Sequence, residues 1–107
     1  MVEKTMRTAG LDRALDLLGA LAVETRLRLL LRLSRGERCV CELYPGVGEQ
    51  SNVSRHLARL KELGVVACRI EGPRRMYRIT DYRVPAILRA LDLATASPLD
   101  SDGDFQL

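Results

Sequence analysis

Hydrophobic and polar positions repeat along the chain with two periods, and the change from one to the other falls at Gly64. Leu11, Ala14, Leu15, Leu18 and Leu21 recur at helical spacing, with Asp12, Arg13 and Asp16 on the opposite side, which predicts a first amphipathic helix whose apolar stripe needs a partner. A second helix is predicted from about Val23 to Ser34, with Glu24 in its first turn, Leu27, Leu30 and Leu31 inward, and Gly36 as its stop. Arg38 to Cys41 is a short stretch around the β-branched Val40. Glu42 to Gly46 then reads as the first turns of a short helix halted by Pro45 and Gly46. Val47 to Gln50 makes a turn, and Ser51 is expected to cap a helix from Asn52 to about Leu63, closed by Gly64. Val53, Leu57, Leu60 and Leu63 give that helix its buried face.

Beyond Gly64 the period becomes 2. Val65 to Ile70 predicts one strand, Glu71 to Arg75 a turn with a basic tip, and Met76 to Ile79 the returning strand. Asp81 to Pro85 leads into a last helix reaching about Ala96, with Val84, Ile87, Leu88, Leu91 and Leu93 apolar. A short helix, a glycine-containing turn, a second helix that opens on small polar residues and a hairpin directly after it follow the order of a winged helix-turn-helix. The expected fold is therefore mainly α with a small β-hairpin wing (α+β), and occupies residues 1–96. A disordered acidic tail is expected over 97–107, where Asp100, Asp102 and Asp104 meet no basic residue.

Composition narrows the class. With 107 residues there is room for one core. Apolar residues make up 47% but aromatics only 4%, so that core must be built from Leu, Val, Ile and Ala. The longest apolar runs are cut by arginines well short of the roughly 20 residues a bilayer span requires, and no signal peptide is readable, so a cytoplasmic protein without membrane contact is expected. The net charge is +3, and its distribution is uneven: between Gln50 and Arg83 eight basic residues face three acids.

That basic surplus coincides with the predicted recognition helix and wing. Gln50, Ser51, Asn52, Ser54, Arg55, His56 and Arg59 cluster on the first turns and outward side of the second helix of the motif, where such side chains hydrogen-bond base edges or phosphates in a major groove. Taken alone a basic helix face is usually only solvated. Arg74 and Arg75 at the hairpin tip, with Arg69 and Arg78 on the strands, add a second basic group where a wing would straddle the backbone, so double-stranded DNA is the expected partner.

Three cysteines remain, Cys39, Cys41 and Cys68. In a reducing compartment they are metal ligands, redox sensors or small buried residues rather than a disulfide framework. Two thiolates at a C-x-C spacing beside the start of a helix are stabilised as anions and select soft or borderline ions.

Four segments together resemble the arsenic-repressor (ArsR/SmtB) group of bacterial metal-responsive repressors: Glu24 to Leu30, Cys39 to Leu43, Gln50 to Leu60, and Gly64 to Val66 running into the hairpin. The resemblance spans residues 11 to 94 and is most specific at Cys39 to Leu43 and at Val53 to Leu57. It implies a homodimeric repressor on a palindromic operator, released when trivalent arsenic or antimony, or alternatively cadmium or lead, binds cysteine thiolates. Trivalent arsenic takes three sulfurs in a pyramidal set, and in the sensors this chain resembles the third often lies three residues past the second. That position is Tyr44 here, which leaves Cys68 as the candidate third ligand to Cys39 and Cys41. The metal sites that other members of the group build on the final helix from Asp and His pairs have no counterpart, because this helix offers Asp81 and Asp92 without a histidine.

Two other readings remain open: a thiol redox or sulfide-responsive repressor of the same fold, and a protein-interaction module with structural cysteines. An enzyme is not expected. No Ser/His/Asp grouping, glycine-rich phosphate loop or paired carboxylates are present, and His56 is the only histidine.

Overall fold

The computed structural model describes residues 2–93, with side chains from residue 9 onward. Helix α1 runs Val2–Leu21 and α2 runs Glu24–Leu33. A two-residue strand β1 (Arg38–Cys39) leads directly into α3 (Val40–Leu43), and α4 spans Gln50–Glu62. The hairpin consists of β2 (Val66–Glu71) and β3 (Arg74–Ile79), and α5 covers Arg83–Ala90. β3 is the middle strand of an antiparallel sheet in the order β1-β3-β2.

α2 is the centre of the molecule. Leu29, Leu30 and Leu31 are all fully buried at consecutive positions, which a helix achieves only when neighbours cover it on more than one side. Those neighbours are α1, α4 and β3. Val53, Leu57 and Leu60 of α4, Leu43 of α3, Val65, Val66 and Tyr77 of the hairpin, and Val84 and Leu88 of α5 complete the core. Each fully buried leucine or valine contributes about 1.5–3 kcal/mol relative to exposure, so the aliphatic composition suffices without tryptophan.

Several local expectations change. α1 turns Leu17, Ala20 and Leu21 toward the core, so of the predicted stripe only Leu21 is buried, while Leu11, Leu15 and Leu18 are more than half exposed. α3 begins at Val40 rather than Glu42, because Cys39 takes the N-cap position in an extended conformation. α4 begins two residues earlier than expected: Glu49, extended at φ −71° and ψ 148°, is its N-cap, and Ser51 lies inside the helix without capping it. The hairpin turn shrinks to Gly72 and Pro73, since Glu71 pairs with Arg74 across it. Gly72 sits at φ +59°, a conformation that glycine adopts without strain, and a two-residue turn of this kind matches the twist of the flanking strands. α5 stops at Ala90, followed by a turn in which Asp92 takes φ +61°, so it does not continue to Ala96 as one helix. The expected acidic tail, 97–107, lies outside the described residues.

Candidate nucleic-acid interface and thiol site

α3, the turn after it and α4 form the helix-turn-helix. Because Val53, Leu57 and Leu60 are locked into the core, the helical period forces Ser51, Ser54, Arg55 and Ala58 to the outer face, and all four are exposed. Gln50 opens the helix, exposed, where unpaired backbone N–H groups also point outward. Arg55 is already oriented: its Nη2 donates to Asn52 Oδ1 at 2.8 Å. Arg59 is partly neutralised by Glu62 at 3.2 Å.

His56 lies at the margin of this face. Its pKa is pushed below the ordinary 6.5, first by burial and then by the positive charges of Arg26 on α2 and of Arg55. It is therefore a neutral hydrogen-bonding group at pH 7 rather than a cation. The buried Nε of Arg26 has no hydrogen-bond partner among the described residues.

On the wing, Arg74 and Arg75 are consecutive on β3 and so point to opposite faces. Arg74 reaches back to Glu42 of α3, Nη2 to Oε1 at 3.5 Å. Arg75 stands opposite the exposed Ile70. Arg69 is not a free wing cation: its Nε and Nη2 grip the two carboxylate oxygens of Glu37 at 2.8 and 2.7 Å, and this holds Glu37 below the usual carboxylate range. Arg78 remains exposed.

The cysteines separate into a pair and a single residue. Cys39 is buried and Cys41 exposed, their Cα atoms are 5.2 Å apart, and their Sγ atoms are in disulfide contact. Cys39 Sγ also accepts from the Cys41 N–H at 3.2 Å, and the Glu42 carboxylate accepts from the Cys39 N–H at 2.9 Å, a reciprocal capping arrangement at the start of α3. Cys68 does not join them. Cys39 pairs with Met76 and Cys68 with Tyr77, neighbours on β3 whose side chains leave opposite faces of the sheet. β1 and β2 flank β3, so the strands bearing Cys39 and Cys68 are also about 9–10 Å apart. Cys68 packs against the core, and the Tyr77 hydroxyl is pushed above its ordinary pKa first by burial and then by Cys68. Among the described residues no group of three or more His, Cys, Asp or Glu side chains gathers to hold a metal ion.

Glu42 and Glu37 escaped the sequence reading. The former had a legible signal, since Cys39-x-x-Glu42 has the spacing of a capping box; the latter had none, because its partner is 32 residues away.

Residues 24–67 match the family described as bacterial regulatory protein, arsR family. The chain is 39% identical over 79 residues to the HTH-type transcriptional repressor SmtB of Mycobacterium tuberculosis, covering 73% of this chain and 58% of that one. It is 42% identical over 74 residues to the arsenical resistance operon repressor of Escherichia coli K12, covering 67% and 62%. The homodimeric winged helix-turn-helix DNA-binding domain of Mb0332 from Mycobacterium bovis superposes with a TM-score of 0.72 at 32% identity, covering 80% of this chain and 81% of that one. The chain belongs to the arsR family. Its segment matched to the family runs from the start of α2 to Ala67, so it contains the helix-turn-helix and the Cys39–Cys41 pair and ends one residue before Cys68. The chain spans about three fifths of the length of these two curated relatives. The winged helix-turn-helix expected from the order of elements is the fold of this arsR-family chain, and no helix among its described residues is long and apolar enough to cross a membrane.

Proposed function

We propose that this arsR-family chain is a homodimeric, cytoplasmic transcriptional repressor that binds a palindromic operator through α4 and the wing. It leaves the operator when a thiophilic metalloid, arsenite or antimonite first, binds the thiolates of Cys39 and Cys41. The observation that carries this reading is the position of the pair. The two sulfurs converge at the N-cap of α3, the first helix of the DNA-reading unit, with Cys41 exposed as an entry and Cys39 buried beneath it. Two thiolates on one short segment chelate a soft ion, and the position that Cys68 was expected to fill is left to a solvent hydroxide or a small thiol. Capture by both sulfurs competes with the capping role of Cys39, and a coupling of about 1–3 kcal/mol changes operator affinity tenfold or more. Gln50, Ser51, Asn52, Ser54, Arg55, His56, Arg59, Arg74 and Arg75 are the proposed DNA contacts. The homodimer draws on Mb0332, and the metalloid on the arsenical resistance operon repressor.

The test is titration of the reduced protein on DNA from its own promoter region with arsenite, antimonite, cadmium and lead, following thiolate charge-transfer absorption and DNA release together. Wild type is expected to release and Cys68→Ser to release equally, whereas the Cys39→Ser, Cys41→Ser double variant stays bound. Release by the double variant overturns the assignment.

A second reading rests on the contact between the two sulfurs. A peroxide would convert the two thiols to a disulfide, the thiols losing two electrons and two protons as the peroxide is reduced to water. Release by peroxide without release by any of the four ions would favour it.

A further inference from the structure

Among the described residues, Cys39 and Met76 are the buried apolar side chains that stand apart from the leucine core, at 2% and 8% exposure. They are also direct cross-strand partners on β1 and β3, so their side chains leave the same face of the sheet, with Cβ atoms about 4.5–5.5 Å apart. Tyr77 and Cys68 leave the other face, and the core that a methionine ordinarily fills lies behind that one. Apart from Ala67, the hairpin positions that share the face of Met76 are charged: Arg69, Glu71, Arg74 and Arg78. A buried methionine is the exception among them. Cys39 Sγ in turn meets Cys41 Sγ, and α3, which carries Cys41 in its first turn, packs against β3. Two thiols and a thioether thus gather between β1, β3 and the start of α3.

We propose that Met76 is a third sulfur ligand beside Cys39 and Cys41 in the reduced chain, and that this set binds a soft univalent ion of the Cu(I) or Ag(I) class. The inference rests on reading Cys39 and Cys41 as a chelating pair. Thioether sulfur is soft, polarizable and uncharged, and together with thiolates it selects ions such as Cu(I). Trivalent arsenic takes an anionic third partner, so its complex gains nothing from Met76. Rotation about the side-chain bonds of methionine closes its sulfur on an ion held by the neighbouring strand without moving the backbone. Binding releases the two thiol protons and forms three sulfur–metal bonds, with no change of oxidation state. Cys41 is the exposed member of the set, and Cys39 and Met76 are the buried ones that keep water from the bound ion.

The experiment uses the reduced full chain with carbon-13 in the methyl groups of its three methionines, Met1, Met6 and Met76, and silver nitrate as the probe, because Ag(I) does not change oxidation state on binding. Met76→Leu, a swap of similar volume, or Met76→Ile where that fails to fold, assigns the Met76 resonance. One equivalent of Ag(I) is expected to move that resonance and to leave those of Met1 and Met6 in place. In competition with a soluble dithiol, Met76→Leu is expected to hold Ag(I) about tenfold or more weakly than wild type, while its arsenite affinity stays within about twofold. A Met76 resonance that stays in place at saturation, or equal Ag(I) affinity in variant and wild type, overturns the proposal. The Cys39→Ser, Cys41→Ser variant separates this from the reading beneath it. If it holds Ag(I) as wild type does, the chelating pair and the proposal fall together. If it loses Ag(I) and the wild-type Met76 resonance has not moved, the pair stands and only the thioether is removed.

Discussion

The Glu42 carboxylate accepts the backbone N–H of Cys39 at 2.9 Å, so the first turn of the helix-turn-helix is capped by a side chain that also faces Arg74 of the wing. Glu42→Ala removes both connections and is expected to lower stability by about 0.5–2 kcal/mol in urea unfolding, the usual cost of a lost cap. Glu42→Gln keeps an acceptor at the capping position and is expected to recover most of that stability while losing the charge attraction to Arg74. Equal loss in the two variants would mean that the ion pair, not the cap, carries the effect.

Arg55 is exposed on the outer face of α4 and steered by Asn52. Arg55→Ala is expected to weaken operator binding by about tenfold, an effect on the order of a base or phosphate contact, with the fold unchanged by circular dichroism. Competition between operator and unrelated DNA distinguishes the two: a base contact lowers the ratio of affinities, whereas a phosphate contact lowers both affinities alike.

Asp81 and His56 shape the acid side of the stability profile with the same sign, as Glu37 does through Arg69. The Asp81 carboxyl is held below its ordinary 3.8, first by hydrogen bonding to Arg83, whose Nη2 is 2.7 Å away. Its contribution is present above pH 3.8 and is lost as pH falls through the lower folded value. His56 resists protonation in the folded chain, so stability also declines as pH drops below 6.5 toward its folded value. Urea midpoints measured from pH 8 to pH 3 are expected to fall in these two windows. His56→Gln should flatten the upper one and Asp81→Asn the lower.

Leu11, Leu15 and Leu18 stand exposed along one side of α1, and Leu91 is exposed just beyond α5. On the homodimer reading these residues are covered by a second copy. The triple substitution of Leu11, Leu15 and Leu18 to Ser is expected to convert dimer to monomer in sedimentation equilibrium and to abolish tight operator binding while leaving the buried leucines of α2 in place. A variant that still sediments as a dimer would locate the interface elsewhere.

What the sequence disclosed follows from periodicity. α2, α4 and the hairpin were legible because each buries one regularly spaced side, and Val53, Leu57 and Leu60 fix which residues of α4 face outward. The start of α4 was not, because Ser51 and Glu49 both stand near the boundary and the cap was decided by the backbone conformation of Glu49 rather than by a side-chain preference. The core face of α1 was hidden for a related reason: spacing identified the stripe from Leu11 to Leu21, whereas the residues that enter the core with Leu21 are Leu17 and Ala20 beside it. The thiol site was half legible. The C-x-C spacing brought Cys39 and Cys41 together, whereas the place of Cys68 depends on a strand register that shifts every side chain to the other face when it slips by one residue.

That register gives β3 a role as a partition. A sulfenic acid formed on Cys68 has the sheet between itself and the Cys39 thiol, so within one protomer it is not resolved by condensing with that thiol to a disulfide and water. Chemical traffic at Cys39 and Cys41 is thereby insulated from damage at the third cysteine, and a reagent that modifies Cys68 alone leaves the chelating pair in its own redox state.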